Sequence, residues 1–473
     1  MTLAVLLSSG VALVSSEGPE VSAQAQEQTQ EKPNIVLIVA DDMRADQLAY
    51  MPRTLSLLGG EGITFENAYA TTPVCCPSRA SILTGKYTHN HRVLTNRRGF
   101  QTFRSSGAET ETVAAKLDAA GYSTVLVGKY LNGYSAENAG HIPPGWDEWY
   151  AKLGENTPYY DYSLSENGRI VRYGSTVEDY RTDVEAGKAI DFIHRAADDP
   201  EPLFVYLAPS SPHAPYVPAP RHQGMFAGTG APRPPSFDEA NVLDKPGWVR
   251  NKERLSARRE RDIDRTYRTQ LEMLQSLDEY VAGVVDELAA TGRLEDTYIF
   301  FISDNGLHAG EHRIPGGKGT AYEESIRVPL VARGPGIAPG TTEERIALNI
   351  DLAPTAAELA SLGVDALDAD GRSLAPLLSG ASSEATPWRS AFLEESWGGQ
   401  QIPTHKSVVT PQGYKYVEYA NGARELYDLR TDPYELENVY RSADPALKAE
   451  LQSYLNALKG CDGQACWNAE NAS

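Results

Sequence analysis

A chain of 473 residues with 41% hydrophobic residues can build a large domain plus a smaller companion, and is too long for one small core. Its formal net charge of -21, spread along the chain, disfavours nucleic acid and anionic membranes as partners. The same field opposes anionic substrates, so any anion site must carry its own local positive charge.

Leu3 to Val14 is an apolar stretch broken by Ser8, Ser9 and Gly10, with small residues following at Val21-Ser22-Ala23 and Ala23-Gln24-Ala25. It is too short to span a membrane and fits an export signal over residues 1–25, although no Lys or Arg precedes it. A disordered tail is the alternative. Gln24 to Lys32 is polar and reads as a linker.

Short apolar runs at Asn34 to Val39, Ser123 to Val127, Leu203 to Leu207, Tyr298 to Ile302 and Pro329 to Ala332 predict buried parallel strands. Helical patterns lie between them. One spans Asp183 to Arg195. A second puts Leu271, Leu274, Leu277, Val281, Val284, Val285 and Leu288 on one face, with Gly292 placed to end it. The alternation predicts an α/β domain over residues 26–387, with a mostly parallel sheet covered on both faces. Residues 221–265, rich in Pro, Gly and charge, read as an insertion that could lie over a site. Its run Lys252, Arg254, Arg258, Arg259, Arg261 reads as a solvated helix face. From about Trp388 the pattern changes to strands at Lys406 to Thr410, Tyr414 to Tyr419 and Glu425 to Tyr427, then a helix from Pro445 to Leu458. Residues 388–473 are thus expected to form a small α+β subdomain. Cys461 and Cys466 read as a local disulfide, which suits an oxidising compartment; two free thiols are the alternative.

Polar groups follow the strands: Asp41 and Asp42, then Lys129, then His213, then Asp304 and Asn305. In open α/β sheets ligands bind beyond the carboxyl ends of the strands, so these groups should converge. Asp41, Asp42, Asp304 and Asn305 offer hard oxygen ligands, which favour Ca²⁺ or Mg²⁺ over zinc. Cys75-Cys76-Pro77-Ser78-Arg79 through Gly85 predicts a helix whose free N–H groups, with Arg79, face an anion beside Cys75. A soft thiolate matches a hard ion poorly, which points to an oxygen nucleophile in its place.

Cys75-x-Pro77-Ser78-Arg79 with Thr84-Gly85 resembles the signature of the type I sulfatases, in which the first Cys is oxidised to formylglycine. Gly121-Tyr122-Ser123-Thr124 through Gly128-Lys129, Ser303-Asp304-Asn305-Gly306, Gly317-Lys318-Gly319-Thr320, and Glu425-Leu426-Tyr427-Asp428-Leu429 with Asp432-Pro433 extend the resemblance over nearly the whole chain after Lys32. Within the family, Gly128-Lys129-Tyr130-Leu131-Asn132 and Tyr414-Lys415-Tyr416-Val417-Glu418-Tyr419 look most like the N-acetylglucosamine-6-sulfatases.

The resemblance implies an alkaline-phosphatase-like fold and a sulfatase acting on sulfated carbohydrate or aryl sulfate, matured by a formylglycine-generating enzyme. It implies a metal, usually Ca²⁺, held by Asp41, Asp42, Asp304, Asn305 and the modified Cys75. Arg79 would hold the nucleophile. Lys129, His213 and Lys318 would bind sulfate and support the leaving group. His308 is a further substrate-binding candidate. Asn132 stands where many sulfatases carry a His and could donate a hydrogen bond but not a proton, which leaves His213 as first choice of acid. The rival readings are a general arylsulfatase, a phosphatase or phosphonate monoester hydrolase of the same superfamily, and a non-catalytic carbohydrate-binding protein.

Overall fold

Every residue of the apolar run Asn34–Ala40 is buried, as a strand covered on both faces requires. The computed structural model describes residues 1, 2, 4, 5, 10, 32–363, 366–380, 388–399 and 401–471. The expected export signal therefore falls outside the described residues, apart from isolated positions.

The strands are β1 (Asn34–Ala40), β2 (Ile63–Phe65), β3 (Ala68–Tyr69), β4 (Ser123–Gly128), β5 (Glu148–Lys152), β6 (Ser163–Glu166), β7 (Arg169–Arg172), β8 (Leu203–Ala208), β9 (Thr297–Ser303), β10 (Leu330–Arg333), β11 (Thr341–Glu343) and β12 (Ala347–Leu348). Near the C-terminus follow β13 (Phe392–Ser396), β14 (His405–Val409), β15 (Tyr414–Tyr419) and β16 (Arg424–Asp428). The main sheet runs β11-β2-β10-β9-β1-β8-β4-β5-β6-β7. Its centre, β9-β1-β8-β4-β5, is parallel. Alternate side chains of β1 enter two cores. Ile35, Leu37 and Val39 pack with Leu117 and Ala353, while Val36 and Ile38 pack with Ile193, Leu271 and Leu274. The second core is closed by helices Arg181–Arg195 and Ala257–Ala290.

Two expectations change, and one element comes in addition. The Pro329 to Ala332 run is a strand, but β10 lies antiparallel to β9. No crossover helix carries the chain over the sheet between them. It loops at the carboxyl edge and returns beside the strand it left, so it must run back. The supposed insertion at 221–265 ends earlier, because Ala257 onward is the start of the long helix. Ser256 caps that helix by accepting the Arg259 N–H. The rest of the insertion packs on the 310–313 loop and the C-terminal sheet: the Asp238 N–H donates to the Gly310 carbonyl at 2.9 Å, and Lys245 donates to the Tyr427 hydroxyl at 3.1 Å. A parallel-strand search also overlooks the β6–β7 hairpin, turned by Asn167-Gly168 with φ of 47° and 83°.

β13 to β16 form an antiparallel sheet covered by helix Pro445–Leu458. Leu451, Leu455 and Leu458 share a core with Phe392, Tyr416, Tyr87 and Ile350. Cys461 and Cys466 are disulfide-bonded. Among the described residues, no helix is long and apolar enough to cross a membrane.

Fully buried Arg389 ties these parts together, with Nη2 at 2.9 Å from Asp351 Oδ1 and Nε at 2.8 Å from Glu470 Oε2. Removing one member of a buried ion network costs about 3–5 kcal/mol. Arg389→Leu should lower the unfolding free energy by about that much in a urea melt. A shift no larger than that of the exposed Arg430→Ala would contradict it.

Candidate active site

Strand register brings the polar groups together. Ala40 lies opposite Ser303, so Asp41 and Asp42 leave β1 beside Asp304 and Asn305. Gly128 lies opposite Ala208, which sets Lys129 beside the loop to His213. Gly128 has φ of 103°, and a Cβ there would stand 2.2 Å from the Ala208 carbonyl oxygen, so only glycine lets the chain turn to Lys129. Asp42 also sits in the left-handed region, at φ 65°. That strained position aims its carboxylate across the edge.

The signature forms helix Cys75–Thr84, buried along its whole length and ended by Gly85 at φ 71°. Its first turn packs onto β9. The Ser78 hydroxyl donates to the Asp304 carbonyl at 2.5 Å and takes a hydrogen bond from Asn349 Nδ2 at 2.9 Å. Arg79 has no exposed surface. Its Nε donates to Asp304 Oδ2 at 2.8 Å and its Nη1 to the Lys129 carbonyl at 2.9 Å. Cys75 Sγ lies 3.4 Å from Asp41 Oδ1, 3.7 Å from Asp42 Oδ1, and against the Lys318 ammonium.

Lys129 Nζ is 2.7 Å from Asp41 Oδ2, and Lys318 pairs with Asp42. His213 Nε2 stands 3.7 Å from Asp42 Oδ2, while its Nδ1 meets the Ala214 carbonyl at 2.5 Å. Lys318 and His213 keep 15% and 23% of their side chains exposed, so the site opens between them. Burial works to raise the Asp41 carboxyl, yet Lys129, His213, Arg79 and Lys318 hold it well below the usual range. Asp42 is lowered in the same way, burial being outweighed by Lys318 and His213. Asp304 goes the other way: burial pushes it up against the pull of Arg79. Burial also pushes the Cys75 thiol far up, past what Lys129 and Lys318 offset, so an unmodified thiol stays protonated and is a poor nucleophile.

Asp41, Asp42 and Asp304 balance Arg79, Lys129 and Lys318 in formal charge, so the side chains alone leave no surplus to attract an anion. A divalent cation held there would supply that surplus. Asp41, Asp42, Cys75 and His213 bring potential ligand atoms within 4.8 Å of one another. Asn305 Oδ1 is buried without a hydrogen-bond partner beside Asp42. Two carboxylates and an orphaned amide oxygen suit a hard cation; the expected ligand Asp304 is not among the four, its carboxylate being engaged by Arg79 and the Asp42 N–H.

Two candidates stand apart from this cluster. His308 is 1% exposed, with Nε2 on Thr320 Oγ1 at 2.8 Å and its N–H on the Gly317 carbonyl at 2.8 Å. It supports the Lys318 loop and presents no surface to a substrate. Asn132 meets Phe100 through its carbonyl at 2.8 Å, and its Oδ1 is buried without a partner. No hydrogen bond joins it to Lys318 or His213 among the described residues. His89 and His91 are structural, on Glu395 and Ser81 respectively. Sequence reading missed Asn349, which receives the Thr71 N–H and holds Ser78. Nothing near it in sequence marks it.

A family model described as Sulfatase matches residues 33–362, and one described as N-sulphoglucosamine sulphohydrolase, C-terminal, matches residues 310–460. The chain is 36% identical to an N-acetylglucosamine-6-sulfatase of Capra hircus, over 92% of this chain and 85% of that protein. It is 33% identical to an arylsulfatase of Volvox carteri, over 93% of this chain and 76% of that protein. A solved structure of a protein in complex with its substrate D-glucosamine-2-N,6-O-disulfate matches at TM-score 0.77 and 25% identity, over 93% of this chain and 99% of that one.

Elemental analysis of the protein after dialysis against Ca²⁺ should find about one hard divalent ion per chain. Asp42→Ala should weaken binding by about tenfold or more, and stoichiometric zinc with neither calcium nor magnesium would contradict the oxygen-ligand assignment.

Proposed function

The chain belongs to the sulfatase family, and from that premise we propose that it hydrolyses the 6-sulfate of N-acetylglucosamine or a closely related amino sugar at residue 75. The observation that carries the reaction type is the meeting of Cys75, Lys318, Lys129 and Arg79 over three buried carboxylates. The sugar is supported by the 36% identity to an N-acetylglucosamine-6-sulfatase and by the solved relative bound to a glucosamine disulfate.

When bound, a divalent ion (Ca²⁺ first, Mg²⁺ second) on Asp41, Asp42, Asp304 and Asn305 adds positive charge toward the sulfate, and formylglycine at position 75 supplies an oxygen nucleophile in place of the thiol. The chain's own groups do the rest. Lys129 and Lys318 bind the outer sulfate oxygens, where negative charge is already spread. Arg79, fixed by Asp304 and the Lys129 carbonyl, locks the helix start so that residue 75 keeps its aim. With Nδ1 donating to the Ala214 carbonyl, His213 exchanges its proton at Nε2, which faces the site. Protonated there, it neutralises the alkoxide that departs. Preorganised charge in a largely dry site stabilises the developing anion more than water would.

Maturation by a formylglycine-generating enzyme and export from the cytoplasm belong to the same proposal. The Cys461–Cys466 bridge supports export. Residues 26–387 are the catalytic part and 388–473 its C-terminal support. A general arylsulfatase is the second reading, favoured by the relative from Volvox carteri.

Peptide mass spectrometry should place an aldehyde on residue 75 and none on residue 76. Cys75→Ala should lose at least about 10³-fold in kcat, whereas Cys76→Ala should retain substantial activity. Sulfate release should be faster from N-acetylglucosamine 6-sulfate than from galactose sulfates, a simple aryl sulfate or the matching phosphate ester. Full activity in Cys75→Ala would overturn the mechanism, and turnover of the aryl sulfate alone would overturn the sugar.

A further inference from the structure

The opening beside Lys318 has a wall built by the C-terminal sheet. Ser396, the last residue of β13, donates its hydroxyl to the Gly319 carbonyl at 3.3 Å. Beyond it the Gly399 N–H donates to the Ile402 carbonyl at 2.9 Å. Gly398 sits at φ 66°, and a Cβ there would come within 2.4 Å of the Ile402 carbonyl oxygen, so that close approach depends on glycine. Ile402 Cδ1 lies 3.8 Å from the position a Gly319 Cβ would occupy, with Val74 Cγ2 at 3.9 Å from the same point.

Those neighbours define where Ile402 lies. Gly319 follows Lys318 and Val74 precedes Cys75, so Ile402, Gly319 and Val74 form an apolar edge beside the loop that carries Lys318 and the start of the signature helix. Ile402 is half-buried and belongs to none of the buried hydrophobic clusters. Part of its side chain is therefore exposed and can meet a ligand. An isoleucine offers nothing to a sulfate group. What it can touch is the carbon skeleton of the alcohol to which the sulfate is esterified.

We propose that Ile402 is a specificity-determining residue, packing against the C–H face of the sugar ring while Lys129 and Lys318 hold the sulfate. The inference rests on the amino-sugar reading above. It gives the C-terminal subdomain a direct part in choosing the substrate, separate from the chemistry.

The test uses the full, matured, cation-loaded enzyme and its Ile402→Asn and Ile402→Leu variants. KM and kcat are measured on N-acetylglucosamine 6-sulfate, together with the inhibition constant of inorganic sulfate. Ile402→Asn should raise KM by about tenfold with kcat within about threefold, and Ile402→Leu should stay within about threefold of the unsubstituted enzyme. Inhibition by sulfate should not move, because sulfate does not reach the apolar edge. An unchanged KM in Ile402→Asn overturns the proposal. A sulfate inhibition constant that rises in step with KM also overturns it, since Ile402 would then act through Lys318. Failure of the unsubstituted enzyme to release sulfate from any amino-sugar sulfate, while it cleaves an aryl sulfate, overturns the parent reading before a variant is made.

Discussion

Three carboxylates and three cations share one buried edge, and burying them unpaired would cost several kcal/mol each. Their pairing constrains the rest of the molecule. Asp304 can answer Arg79 only if the signature helix seats its first turn on β9, which the Ser78 hydroxyl secures. Asp41 can answer Lys129 only if β1, β8 and β4 keep their register, which Gly128 permits by passing close to Ala208. The sheet is the frame on which opposed charges are held at fixed separations.

Lys318 is held differently. It sits on a loop, and loops are placed by what lies behind them. Here that backing includes the C-terminal sheet. Lys415, buried on β15, donates to the Ala321 carbonyl at 3.0 Å and pairs with Glu323 at 2.7 Å and Glu435 at 2.8 Å. On the other side Arg44 joins the loop after Asp42 to Glu311 at 2.9 Å and to the Leu307 carbonyl at 2.7 Å. His312 adds a link to Glu239 at 2.7 Å. The ammonium that reaches Cys75 thus depends on residues from across the chain.

Much of this was legible in the sequence because it is local. Apolar runs gave the parallel strands, strand ends gave Asp41, Lys129, His213 and Asp304, and Pro77 with Gly85 bracketed the signature helix. What escaped was non-local. The reversal of β10 depends on how the chain returns, not on Leu330 to Arg333 themselves. His308 carries the same side chain whether it faces a ligand or Thr320, and only packing decides. Asn349 contacts Thr71 and Ser78 across hundreds of residues. The charged run ending at Arg261 reads as a helix face, but that it opens the long core helix and not an insertion shows only in the Ser256 cap.

Cys75 retains 1% of its surface and begins a helix whose ten residues are all buried. No protein-sized catalyst can close around a side chain so placed without first dismantling the sheet edge, the Arg79 pairings and the Ser78 contact. Chemistry on residue 75 is therefore governed by time as well as by geometry. An enzyme that oxidises residue 75 would have to act while the segment is still an extended peptide, and folding would then seal the result. A molecule that folded first would keep its thiol shut inside, so the fraction converted would be set by a race between that enzyme and folding.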